Sequence, residues 1–100
     1  MKIPRHVTIN GRKINIKQKK GIDGGSFSWW GHEIVIASDV CDDLKEEILL
    51  HEVTEYMLVD LDMRYSMQRG GDNGDYLFSF NHQQFTMFIK SLHATLKGMV

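Results

Sequence analysis

His51, Glu52 and Glu55 stand together inside the otherwise apolar run Leu49-Leu50-His51-Glu52-Val53-Thr54-Glu55-Tyr56-Met57. A helix turns about 100° per residue, so positions i and i+4 point the same way, one turn above the other. His51 and Glu55 are therefore placed to offer one nitrogen and one oxygen donor to a shared point, which is half of a metal site. With Leu44 taken as the origin, Ile48, His51, Glu55, Leu58 and Val59 fall in one stripe, while Leu50, Val53, Met57 and Leu61 cover the opposite side. A helix that is apolar nearly all round is expected to be buried. His51 and Glu55 would then lie in the interior, where an unpaired charge is costly and needs a partner.

The run resembles the HExxH motif of the zincin metallopeptidases, with Glu in place of the second His, so that it reads HExxE. In zincins the two His at this spacing hold zinc, and the Glu after the first His is the general base on the metal-bound water. By that resemblance His51 is the first ligand, Glu52 the base and Glu55 the second ligand. In the gluzincin branch the third ligand is a Glu on a later helix; here the later helix carries His82 in its opening turn. Phe85, Ile89, Leu92 and Leu96 follow at three-four spacing and aim His82 along an apolar face. The resemblance thus implies a zinc ion (Zn2+) held by His51, Glu55 and His82, a fourth position open to water, and a peptide or protein substrate. It also implies that the strand before the active-site helix binds extended substrate by edge pairing.

Other readings stand beside it. His51 and Glu55 also suit a metal-free ion pair one helical turn apart. His93 replaces His82 as a ligand if the connection folds differently, because eleven residues of helix, about 16 Å, prevent the two from sharing one ion. Arg64, Tyr65, Arg69 and Tyr76 are candidates to contact a substrate carbonyl. Asp72 and Asp75 hint at calcium but lack the alternating oxygen ligands and closing Glu of an EF-hand loop. His6 and His32 read as ordinary strand-associated His, with His32 near enough to the third strand for a substrate contact. Cys41 reads as a bland thiol without a His partner.

The elements that must position these groups are legible in outline. One hundred residues make a single domain with a modest core. A hydrophobic content of 42% and a charged content of 25% are ordinary for a globular chain, and no apolar run reaches the length of a membrane span. No secretory h-region opens the chain and there is one cysteine, which points to the cytoplasm. The net charge is -1, yet Lys2, Arg5, Arg12, Lys13, Lys17, Lys19 and Lys20 face only Asp23 within the first 25 residues. No aromatics interleave with these cations as a stacking platform would require, so they read as a solvated strand face rather than a nucleic-acid site.

Residues 3–9 and 12–19 are β-rich and flank Asn10-Gly11, a type I′ hairpin signal. Residues 26–30 suit an irregular strand, and 32–37 a third strand in which Ile34 and Ile36 alternate with Val35. Ser38 or Asp39 caps a helix over 42–61, whose first turns hold Asp42, Asp43, Glu46 and Glu47 as helix N-termini favour. Residues 62–80 read as a long loop. Ser79 or Asn81 caps a second helix over 81–97, with Gln84 three residues after Asn81 as in a capping box and Gly98 as its stop. The expected fold is α+β: an antiparallel hairpin or three-stranded sheet over 1–37, packed on two helices of which the first carries HExxE. The expected function is that of a zinc-dependent peptidase, with a non-catalytic, metal-stabilised or metal-free binding module as the alternative.

Overall fold

The computed structural model describes residues 3–66 and 76–99. Strand β1 (His6–Ile9) turns into β2 (Arg12–Lys19) through Asn10 and Gly11, whose φ angles of 49° and 85° are the two positive values that a two-residue primed turn demands. The pairing runs from His6 opposite Asn15 to Ile9 opposite Arg12. Alternation then sorts the side chains: Val7, Ile9, Ile14 and Ile16 are buried, while His6, Lys13, Asn15 and Lys17 face outward.

The sheet has four strands rather than three and is mixed rather than antiparallel. Its order is β1-β2-β4-β3, with β4 (Glu33–Ala37) parallel to β2 and β3 (Gly25–Ser28) antiparallel to β4 at the edge. Parallel neighbours cannot be joined by a tight turn. The chain leaves β2, crosses the end of the position that β4 will fill, runs back as β3, and returns through Trp29–His32 into β4. Gly21 and Gly24, at φ 77° and 72°, supply the bends of the first crossing. The amide of Ala37 donates to the Gly24 carbonyl and that of Ser38 to the Lys19 carbonyl, closing the crossing.

Helix α1 (Asp42–Asp60) follows, with Cys41 at its N-cap position and no side-chain cap bond. Neither Ser38 nor Asp39 caps it. Leu49, Val53, Tyr56 and Met57 pack against Val7, Ile9, Ile14, Ile16, Ile34 and Ile36 to form one core between sheet and helix. Within the stretch read as a loop, β5 (Arg64–Ser66) and β6 (Tyr76–Phe78) pair as a second, two-stranded sheet. Helix α2 (His82–Met99) opens on a reciprocal capping box, the Asn81 amide donating to Gln84 Oε1 and the Gln84 amide to Asn81 Oδ1. It runs through Gly98 to Met99. Thr95 Oγ1 donates to the Thr8 carbonyl and Ser91 Oγ pairs with Asn10 Oδ1, fixing α2 against the hairpin. The fold is α+β, and among the described residues no helix is long and apolar enough to cross a membrane.

Candidate functional site

The sheet selects which face of α1 goes inward. A row of Ile side chains needs a complementary apolar stripe, and Leu49, Val53, Tyr56 and Met57 supply it at three-four spacing. Glu52 lies on that stripe and is buried at 7% exposure, whereas His51 lies on the flank with its side chain 66% exposed. The sequence pattern placed His51 and Glu55 in the interior; the helix is rotated so that Glu52 is the inward group. The reason is physical: Ile48 and Leu58 give the His51 and Glu55 face an apolar stripe of its own, but the row of Ile side chains on the sheet pairs with Leu49, Val53, Tyr56 and Met57 instead.

Beside Glu52 the edge strand comes unusually close. A Cβ on Gly25 would sit 2.8 Å from Ile48 Cγ2 and from the Val35 carbonyl oxygen, and 3.2 Å from Glu52 Cγ, so only glycine lets β3 rest on α1 here. His51 and Glu52 line a cleft of about 400 Å3 together with Gly24, Gly25, Ile48 and Glu47. On the other flank His51 and Glu55 line a second opening of about 340 Å3 with Leu50, Leu58 and Phe78. His51 therefore stands on the ridge between two clefts.

The charges around it are close. His51 Nε2 lies 3.2 Å from Glu55 Oε1 and 3.9 Å from Glu52 Oε2. Burial pushes the Glu52 carboxyl above the usual carboxylate range and the Glu55 charge adds to this, while His51 and Arg64 oppose it. The other oxygen of Glu55 is taken: Arg64 Nη1 donates to Oε2 at 2.6 Å. The Arg64 guanidinium lies over the Phe27 ring, 5.4 Å from its centroid, and Phe27 packs edge-on against Tyr56 at 5.6 Å. Arg64 is thus held between Glu55 and Phe27.

At the C-terminal end of α1 a second polar cluster fastens the helix to the hairpin. Asp60 Oδ1 accepts from Arg12 Nη1 at 2.5 Å and Trp29 Nε1 at 3.1 Å, and Oδ2 accepts from Asn10 Nδ2 at 2.7 Å. Desolvation acts to raise the Asp60 pKa, but these donors and the Arg12 charge outweigh it and hold it below the ordinary value. The Tyr56 hydroxyl is buried nearby beside the Arg12 guanidinium, and burial raises its pKa while Arg12 opposes the rise. Sequence reasoning missed Asp60; its signal was the position one turn after Tyr56 on the same stripe. Trp29 belongs to this cluster, and Trp30 is 86% exposed, so neither lines the cleft beside Glu52.

A metal would find a partial set of ligands. Two donors on one tetrahedral zinc, each at about 2.0–2.1 Å, are separated by roughly 3.4 Å, and the His51 to Glu55 distance fits that spacing as well as it fits a direct hydrogen bond. His82 does not join them. It is exposed in the first turn of α2, and among the described residues no three His, Cys, Asp or Glu side chains converge to hold an ion. His93 is likewise exposed on α2. His6 faces outward on β1, His32 sits at φ 51° in the turn before β4, and Cys41 is exposed. Arg69, Asp72 and Asp75 lie outside the described residues, as do the side chains of Tyr65 and Tyr76. No protein family, curated protein or solved structure matches the chain.

Proposed function

We propose that the chain is a zincin-like, zinc-dependent peptidase domain, with His51 and Glu55 as the helical ligand pair and Glu52 as the acid-base group. The observation that carries the reading is the arrangement on α1: an imidazole and a carboxylate 3.2 Å apart on the rim, and next to His51 a buried Glu that opens on a cleft beside a sheet edge with no partner strand among the described residues. Bound zinc would polarise a peptide carbonyl and lower the pKa of water. The chain's own part is legible without it. Burial raises the affinity of Glu52 for a proton, which moves a carboxylate toward the range useful to a general base near neutral pH. β3 ends the four-stranded sheet, so among the described residues its outer edge has no sheet partner and suits an extended peptide laid beside Gly25 and Glu52. The strand that would bind substrate is thus β3 rather than the strand immediately before α1.

His82 completes the ligand set only if metal binding draws the first turn of α2 toward the pair. The test is the zinc content and peptide-hydrolysing activity of wild type, Glu52→Gln and His82→Ala. The reading expects Glu52→Gln to keep zinc and lose hydrolysis. Undiminished turnover in that variant would remove Glu52 from the chemistry.

A second reading, a metal-free binding module, has one observation of its own. Glu55 is satisfied on both oxygens by His51 and Arg64, so its charge is met without an ion. Folded wild-type protein that takes up no zinc would select this reading.

A further inference from the structure

Helix α2 is amphipathic, yet a single copy of the chain uses only part of its apolar face. Phe88, Leu92 and Met99 pack against the core, and Thr95 is the buried residue of the helix. Phe85, Ile89 and Leu96 fall within about 40° of one another around the helix axis and stay 37–44% exposed. This row continues beyond the helix. The Phe85 ring stacks on Phe80 with centroids 6.2 Å apart, Leu96 lines an apolar opening of about 360 Å3 with Leu50 of α1, and Leu50 lines the next opening with Phe78. The six side chains make one apolar band from the start of α2 across to α1. A helix in water draws most of its stability from packing its apolar face, so a band of this kind is stabilised by a cover.

Its area and its rim point to the same cover. Six side chains at 37–49% exposure leave on the order of 500 Å2 of apolar surface. A standard interface takes about 800 Å2 from each partner, of which about 65% is apolar in homodimers, and the band matches that amount. The rim carries both signs. Exposed Glu47 of α1 lines both openings, and exposed Lys90 and Lys97 follow Ile89 and Leu96 on α2. A partner of one sign throughout would meet its own sign there, whereas a second copy offers each charge its opposite.

We propose that this band is the interface of a two-fold symmetric dimer of the chain. Two α2 helices pair antiparallel, with Phe85 of each copy against Leu96 of the other and Ile89 beside Leu92. Such a contact is isologous, so one surface serves both partners. None of the six residues lines the cleft beside Gly25 and Glu52, so the dimer stands or falls apart from the metal reading.

The experiment is sedimentation equilibrium of the full chain from about 1 μM to 1 mM, for wild type, Ile89→Glu and Met87→Glu, with far-UV circular dichroism to show that each is folded. Met87 is 48% exposed but lies about 160° around α2 from Ile89, off the band. The expected result is a wild-type mass twice that of the chain, a dissociation constant raised at least about thirtyfold in Ile89→Glu, as for loss of a central anchor, and wild-type association in Met87→Glu. Wild type that stays monomeric throughout the range overturns the proposal in favour of another occupant. A dimer of undiminished affinity in folded Ile89→Glu, or one lost equally in Met87→Glu, also overturns it, because the contact would then lie elsewhere.

Discussion

Replacing Asp60 by Ala should be among the most damaging single changes outside the apolar core. The Asp60 side chain is 6% exposed and gathers three donors, from Arg12, Trp29 and Asn10. Each loses its partner in the variant, but unequally. Arg12 has a side chain 38% exposed and can turn to water, so it adds little. The Trp29 indole N–H is part-buried and stays orphaned at about 1–2 kcal/mol. Asn10 is exposed and contributes a few tenths to about 0.5 kcal/mol. The loss comes to about 2 kcal/mol, or about 8–16 °C in melting temperature for a domain of this size.

The pH dependence has a definite sign. The folded-state pKa of Asp60 is lowered from 3.8, so its stabilisation is fully present above that value and is lost as pH falls through the folded pKa. Chemical denaturation of wild type and Asp60→Ala at pH 7 and at acid pH measures both effects. The gap should be about 2 kcal/mol at neutral pH and should narrow below pH 3.8. A gap under about 1 kcal/mol at pH 7, or one unchanged in acid, would show that the cluster does not hold α1 to the hairpin.

Three further outcomes follow from the same geometry. Gly25→Ala places a Cβ 2.8 Å from a backbone oxygen and from Ile48, and should cost about 1–3 kcal/mol in denaturant unfolding; a neutral result would mean that β3 does not press on α1. Glu52→Gln in metal-free protein should be the more stable form at neutral pH, because the folded-state pKa of Glu52 is raised above 4.5 and wild type loses stability as pH rises from there through that pKa; a Gln variant less stable at pH 8 than at pH 5 relative to wild type would contradict the burial argument. His51→Ala, at an exposed position, should change stability by no more than about 0.5 kcal/mol in metal-free protein, as thermal melts would show, so any larger loss in the presence of zinc reports the ion.

Local features were readable from the chain because short-range physics decides them. Asn10-Gly11 can close a two-residue hairpin at positive φ, Asn81 and Gln84 cap each other over three residues, and α1 contains no Gly or Pro to stop it before Asp60. The parallel pairing of β2 with β4, and the edge position of β3, depend on where a later strand inserts. Nothing in residues 12–28 encodes that insertion locally. The rotation of α1 failed for a related reason. Its apolar residues surround the axis, so the helix alone cannot say which stripe is inward; the Ile side chains of the sheet decide it, and they carry Glu52 inside and His51 out. Gly98 did not end α2 because a glycine that nothing else favours in a left-handed conformation is tolerated in a final helical turn at modest cost.

The central claim is that His51 and Glu55 form a metal-binding pair, and the zinc content of the protein purified without added metal or chelator tests it most directly, measured beside His51→Ala and Glu55→Ala. About one zinc per wild-type chain, lost in both folded variants, is the predicted result. Folded wild-type protein that remains free of zinc after the ion is offered would contradict it and leave His51, Glu55 and Arg64 as an ion-pair cluster on the rim of a small α+β domain.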